Sequence, residues 1–205
     1  MEFQSCGQGG IDLTEYALEV RSVSKSFPGT KALDNVQFKL RKGSVHALVG
    51  ENGAGKSTLM KCLLGIYIMD AGEVYIKGKR VIPTSVKQMH KEGLSIIQQE
   101  LAPVYARSVM ENIWLGREPM KGPFVDHHAM YRRTKELLEK FKFDIDPRTP
   151  IGKLTVAQIQ MVEIVKAVSW DVDVVMMDEP TSSLTNREIE QLFEIIEGLR
   201  DAGIS

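Results

Sequence analysis

Residues 50–58 read Gly-Glu-Asn-Gly-Ala-Gly-Lys-Ser-Thr and satisfy G-x-x-x-x-G-K-[ST] through Gly50, Gly55, Lys56 and Ser57. No other run in the chain constrains its fold as tightly. A phosphate chain needs many N–H donors on a backbone with little side-chain bulk, and Gly50, Gly53 and Gly55 permit that close turn. Glu51, Asn52 and Ala54 complete the loop, and Thr58 follows it. Lys56 can reach β- and γ-phosphates as a point charge, and the Ser57 hydroxyl can ligate Mg²⁺. Val45–Val49 reads as a buried strand leading into the loop. Leu59–Leu64 reads as a helix closed by Gly65, its N-terminal dipole aimed at the phosphates. This run predicts a nucleotide-binding α/β fold.

The bulk numbers narrow the setting. With 205 residues, 43% of them hydrophobic and 26% charged, the chain can bury one ordinary core or one core with a lobed insertion. The net charge of −1 argues against an extended nucleic-acid or anionic-lipid surface, so no nucleic-acid partner is expected. Cys6 and Cys62 are too few and too scattered for a disulfide framework or a zinc site, which fits a reduced cytosolic setting. Met1–Ser5 lacks the pattern of a signal peptide. No apolar stretch approaches the roughly 18 residues of a bilayer span, so any membrane role is expected to be peripheral.

Along the chain, residues 1–16 read as a loose, Gly-containing leader. Ala17–Val23 and Val36–Leu40 are β-rich, Gly72–Ile82 carries a hairpin signal, and Leu94–Ile97 reads as a buried strand. From about 101 to 169 the pattern turns helical: one amphipathic helix over Tyr131–Phe143, and a second carrying Val156, Ile159, Val162, Val165 and Val168. Strand character returns at Val172–Met177. A last helix starts near Thr185, with Thr185 and Glu188 as a capping box, Ile189, Leu192, Phe193, Ile196 and Leu199 on one face, and Gly203 past its end. Asp126-His127-His128 resembles a metal-ligand triplet, but no second carboxylate–histidine cluster offers further ligands, and Asp126 reads as a helix N-cap. His46 and His90 read as structural or solvated. Cys62 is expected to react with thiol reagents, without features of a catalytic thiolate.

A P-loop alone leaves kinases, GTPases and motors open. Val174–Met177 followed by Asp178-Glu179 narrows the choice. A buried strand delivers Asp178 rigidly to a Mg²⁺ coordination sphere, and Glu179 next to it can polarise an attacking water.

With these residues in place, residues 17–205 resemble the ATP-binding cassettes of ABC transporters. Phe27 in Lys25-Ser26-Phe27-Pro28-Gly29 matches the aromatic that stacks on adenine, and Gln99 matches the Q-loop glutamine that touches Mg²⁺ and the attacking water. Leu154-Thr155-Val156-Ala157-Gln158 matches the signature motif, which holds nucleotide on a partner cassette. Asp178-Glu179-Pro180-Thr181-Ser182 matches the Walker B end, with Ser183-Leu184-Thr185 at the D-loop. The resemblance implies a P-loop NTPase core with a RecA-like parallel sheet, an antiparallel β subdomain, and a helical insertion. It assigns Mg²⁺ to Ser57, Gln99 and Asp178, and catalysis to Glu179, Gln99 and Lys56. Two departures stand out: Ala157 puts a methyl where a glycine is usual, and Thr185 replaces the D-loop Asp.

Lys31–Val36, Gln99–Leu101, Glu111–Arg117, Lys121–Asp126 and Asp144–Arg148 look like the bacterial monosaccharide importers, in particular the galactose/methyl-galactoside branch. That branch implies an ATPase energising sugar import at the cytoplasmic face of the bacterial inner membrane. It implies ATP and Mg²⁺ as cofactors, a second cassette, a membrane permease dimer, and a periplasmic or lipid-anchored sugar-binding protein. It carries two cassettes per chain, so this chain resembles the first of them, with the switch histidine lying beyond Ser205. A soluble ABC-type ATPase, or a chain that binds ATP without turnover, is the alternative.

Overall fold

Alternating apolar residues build the first sheet of the computed structural model, which describes residues 15–98, 102–181 and 184–205. β1 (Tyr16–Phe27) and β2 (Thr30–Arg41) form one long antiparallel hairpin, with Val20 opposite Phe38 and Val23 opposite Val36. The expected stretches 17–23 and 36–40 are the inner parts of its two arms. Leu18, Val20 and Val23 are fully buried beneath it. α1 (Lys56–Leu63) packs its Leu59, Cys62 and Leu63 into the same core, and Gly65 ends the helix in the left-handed region at φ 70°. β3 (Ala71–Ile76) pairs with the other edge of β1, and β4 (Lys79–Val81) returns through Lys77-Gly78. Both turn residues have positive φ, as a two-residue hairpin turn matching strand twist requires. The sheet order is β2-β1-β3-β4. α2 (Val86–Lys91), N-capped by Ser85, leads into β5 (Leu94–Ile97).

The next segment is the helical lobe. It holds α3 (Val109–Ile113), the short hairpin β6 (Met120–Lys121) and β7 (Phe124–Val125), α4 (His127–Lys140), a 3₁₀ turn at Ile151–Lys153, and α5 (Val156–Val168). Ile113, Leu138, Ile151, Val162 and Val165 share its core. Each such fully buried aliphatic side chain contributes about 1.5–3 kcal/mol. α4 begins four residues before the expected Tyr131 because the Asp126 side chain accepts the Ala129 N–H at 2.9 Å, giving the helix an N-cap.

β8 (Val174–Met177) returns to pair in parallel with β5, in a register from Leu94–Val174 to Ile97–Met177. Parallel partners need a long crossover, and the helical lobe is that crossover. α6 (Asn186–Asp201) follows, opened by the Thr185–Glu188 capping box. Its buried stripe is Leu192, Ile195 and Leu199, packed against Ile164 and Val172. The expected face included Phe193, but that ring is 56% exposed: the seam runs instead through Ile195, two residues on and on the other flank of the Leu192–Leu199 stripe.

The strand expected at Val45–Val49 is absent. These residues have no ladder partner among the described residues, and Val49 is 90% exposed. A strand needs a paired edge, and the facing edge of β8 lies across an apolar cavity of about 420 Å³. Val45, His46, Ala47 and Leu48 line one wall and Val174–Met177 another. At its mouth Ser205 begins a parallel ladder on β8, donating to Asp173 O and accepting from Val175 N, both at 2.8 Å. The leader expectation for residues 1–16 falls almost wholly outside the described residues.

Candidate nucleotide-binding site

The loop at 50–55 closes on itself. Ala54 N donates to Glu51 O at 3.1 Å, and Lys56 Nζ folds back to donate to Gly50 O (2.7 Å) and Glu51 O (3.0 Å). Gly55, the N-cap of α1, sits at φ 91°, and a Cβ there would stand 2.5 Å from Ala32 O. Only glycine fits that position, sterically and conformationally. Among the described residues no side chain caps α1, and its first turn carries no acidic residue. Its leading N–H groups are therefore open to an anion. Glu51, Asn52, Gly53 and Ala54 are exposed, while Ser57 and Thr58 on the first turn of α1 are half-buried.

Ser57 and Asp178 meet here. Ser57 Oγ donates to Asp178 Oδ1 at 3.2 Å, joining α1 to the end of β8. Asp178 N in turn donates to Ile97 O at 3.0 Å, so the parallel pair holds the carboxylate's backbone. A hydroxyl and a carboxylate are hard oxygen donors, the set that suits Mg²⁺, which completes its octahedron with phosphate oxygens and water. The pair fits the metal. Glu179 follows in the left-handed region at φ 47°, an unfavourable conformation for a side-chain-bearing residue and one that concentrates at functional sites. The loop after it is tied down by Gln160 of α5, whose Nε2 donates to Pro180 O at 2.6 Å. Gln160 carries little signal in the sequence: an amide at a buried position of an apolar helix.

The large cavity touches Lys56, Asp178 and Glu179, but its walls are overwhelmingly apolar. It is the gap beside β8 and not a phosphate site. Phe27 lies at the end of β1, 37% exposed, against Tyr67.

Leu154–Gln158 lies in the helical lobe. Leu154 closes the 3₁₀ turn. Thr155 N-caps α5, accepting from Gln158 N (3.3 Å) while Gln158 Oε1 accepts from Thr155 N (3.0 Å). The Ala157 methyl, set where a glycine is usual, is 9% exposed and lines a small cavity together with Met161 and Leu184. The side chain that projects outward at this helix start is Val156, 51% exposed. Gln99, Ser182 and Ser183 lie outside the described residues.

Elsewhere, Cys62 is fully buried, and burial pushes its thiol above the ordinary value, contrary to the expected reactivity. His90 stacks on Trp170 (4.7 Å, 16°), and burial pushes its imidazole down. No helix among the described residues is long and apolar enough to cross a membrane.

A family profile described as ABC transporter matches residues 33–182. The chain is 54% identical over 195 residues to the galactose/methyl galactoside import ATP-binding protein MglA 1 of Photobacterium profundum, covering 94% of this chain and 39% of that protein. It is 54% identical over 189 residues to the MglA protein of Escherichia coli, covering 92% and 37%. The chain thus spans under two fifths of the length of these relatives. Among solved structures, it resembles the ADP conformation of an ATP-binding cassette of an ABC transporter, with a TM-score of 0.81 at 26% identity over 92% of this chain and 78% of that one. A nucleotide-free cassette gives a TM-score of 0.81 at 25% identity, covering 92% and 79%.

Proposed function

The chain belongs to the ABC transporter family, and from that premise we propose that it is an ATP-binding cassette that hydrolyses ATP to drive import of a simple sugar of the galactose/methyl-galactoside kind. The observation that carries the reading is the Ser57–Asp178 hydrogen bond, which sets a P-loop hydroxyl against the carboxylate ending β8. The P-loop amides and Lys56 hold the triphosphate, with Phe27 against the adenine. Ser57 and Asp178 hold Mg²⁺, joined by Gln99. When bound, that ion neutralises charge on the phosphates and orients them for in-line attack. Glu179 accepts a proton from the attacking water. Thr155, Val156 and Ala157 at the start of α5, flanked by Leu154 and Gln158, face the nucleotide of a second cassette through their backbone, since the Thr155–Gln158 capping box accounts for the Gln158 N–H but not for those of Val156 and Ala157, and leading helix N–H groups suit an anion.

The proposed division follows the elements: a leader over 1–16, the cassette over 17–205, and its helical subdomain at about 101–169. The proposed partners are the second cassette, a membrane permease dimer, and a periplasmic or lipid-anchored sugar-binding protein. The proposed location is the cytoplasmic face of the bacterial inner membrane. The 54% identity to two import ATP-binding proteins supports this assignment.

Two measurements test it. Lys56→Ala should weaken ATP binding by about tenfold to a hundredfold, the range of a lost charge-assisted contact; unchanged affinity would refute the P-loop assignment. For import, the matching segment of the Escherichia coli relative is replaced by residues 17–205, and galactose uptake is followed in cells lacking the native protein. Uptake should be supported and should collapse on Glu179→Gln. Uptake indifferent to that change would sink the importer reading.

A further inference from the structure

The Phe27 ring is held by a residue that neither the P-loop nor the other family motifs contain. Phe27 and Tyr67 have ring centroids 5.2 Å apart with planes at 77°, a favourable edge-to-face pair. Tyr67 is itself mounted on the end of α1: Ile66 N and Tyr67 N both donate to Lys61 O, at 2.9 and 3.2 Å. The strand end that carries Phe27 is clamped from the same segment. Asp70 Oδ2 accepts Ser26 N (2.6 Å), its Oδ1 accepts Lys25 Nζ (2.8 Å), and its own N–H donates to Ser24 O (3.0 Å). The Lys25 ammonium and then the Ser26 amide hold the Asp70 carboxyl below the usual range, so the clamp stays charged at neutral pH. At the other end of α1, Gly55 lies against Ala32 of the same hairpin. The β1–β2 hairpin therefore meets the phosphate-binding helix at both ends.

We infer that Tyr67 is a positioning residue for nucleotide binding, fixing the Phe27 ring relative to the P-loop so that base and triphosphate are met by one pre-arranged surface. The inference rests on the proposed nucleotide site and adds to it the device that orients its base-facing ring. Phe27 stands at a hairpin turn and is 37% exposed. Without Tyr67 its side chain regains rotamer freedom, which stacking on a base must then remove. The phosphate contacts of the P-loop do not depend on that ring. Loss of Tyr67 therefore falls on ligands that carry a base and spares those that do not.

The test is calorimetric titration of the chain with Mg-ATP and with Mg-tripolyphosphate, which lacks a base. Tyr67→Leu should weaken ATP by about three- to tenfold, the value of an aromatic pair, and leave tripolyphosphate unchanged. Tyr67→Phe, which keeps the ring, should restore ATP affinity. Unchanged tripolyphosphate binding also reports that the P-loop remains folded. In a double-mutant cycle with Phe27→Leu the two losses should fail to add, since Tyr67 acts through Phe27. An equal loss for both ligands, no loss for ATP, or full additivity would overturn the inference. Phe27→Leu, measured alone, separates the levels. If it lowers ATP affinity and Tyr67→Leu does not, only the positioning role falls. If Phe27→Leu spares ATP, the base platform falls and the inference with it.

Discussion

Ser57 and Asp178 are 121 residues apart in the chain and meet in one hydrogen bond of 3.2 Å, hydroxyl to carboxylate. If this pair holds Mg²⁺, Ser57→Ala and Asp178→Asn should each weaken Mg-ATP by about tenfold or more while changing ATP affinity in excess EDTA by less than about twofold. Equal losses with and without Mg²⁺ would assign the pair a purely structural role.

Glu179 at φ 47° separates backbone strain from side-chain chemistry. Glu179→Ala and Glu179→Gly both remove the carboxylate, but only glycine occupies the left-handed region without a Cβ penalty. The Gly variant should be more stable than the Ala variant by about 1 kcal/mol in urea unfolding. Both should lose turnover. Equal stabilities would show that the loop relaxes out of the left-handed region.

Cys62 gives a pH prediction whose sign follows from its burial. Its thiol is pushed above the ordinary value of 9.0 by desolvation, so the unfolded chain ionises first as pH rises. The unfolded state then binds fewer protons than the native state, and stability should fall above about pH 9. Cys62→Ala should flatten that decline. Alkylation of Cys62 at pH 8, read by peptide mapping, should be slow in the native chain and fast in urea.

Arg117 holds two helix ends of the lobe. It donates to Ile113 O and Ser169 O, each at 2.9 Å, and to the Ser169 hydroxyl, and its guanidinium lies 4.7 Å from the Trp114 ring and 4.3 Å from that of Trp170. Burial pulls its pKa down to about 10, still charged at neutral pH. Lysine lacks the planar fork, so Arg117→Lys should cost about 2 kcal/mol in unfolding free energy and leave Mg-ATP affinity within about twofold. A coupled loss of ATP affinity would show that this stack also acts on the nucleotide site.

Local periodicity and capping made much of this legible. α5 follows the Val156–Val168 repeat residue for residue, β5 coincides with Leu94–Ile97, and the Thr185–Glu188 box opens α6. Each of these signals lies within a few residues of what it specifies. Phe193 and Ile195 show the limit: both are apolar and they flank the Leu192–Leu199 stripe on its two sides, and only the position of α5 and β8 decides which is covered. The inward turn of the Ala157 methyl, and with it the outward face of Val156, depended on α6 in the same way.

The chain's own sequence determined a phosphate-binding loop, because glycines, a lysine and a serine at fixed spacing act through local backbone geometry. It also determined the carboxylates that end an apolar strand. Tertiary structure alone decided that Ser57 would touch Asp178, that Tyr67 would brace Phe27, and that Val45–Val49 would lack a strand partner. Each of these depends on which distant element occupies a neighbouring edge or face. Hydrogen-bond pairing and burial are settled by that occupancy, which no local spacing encodes.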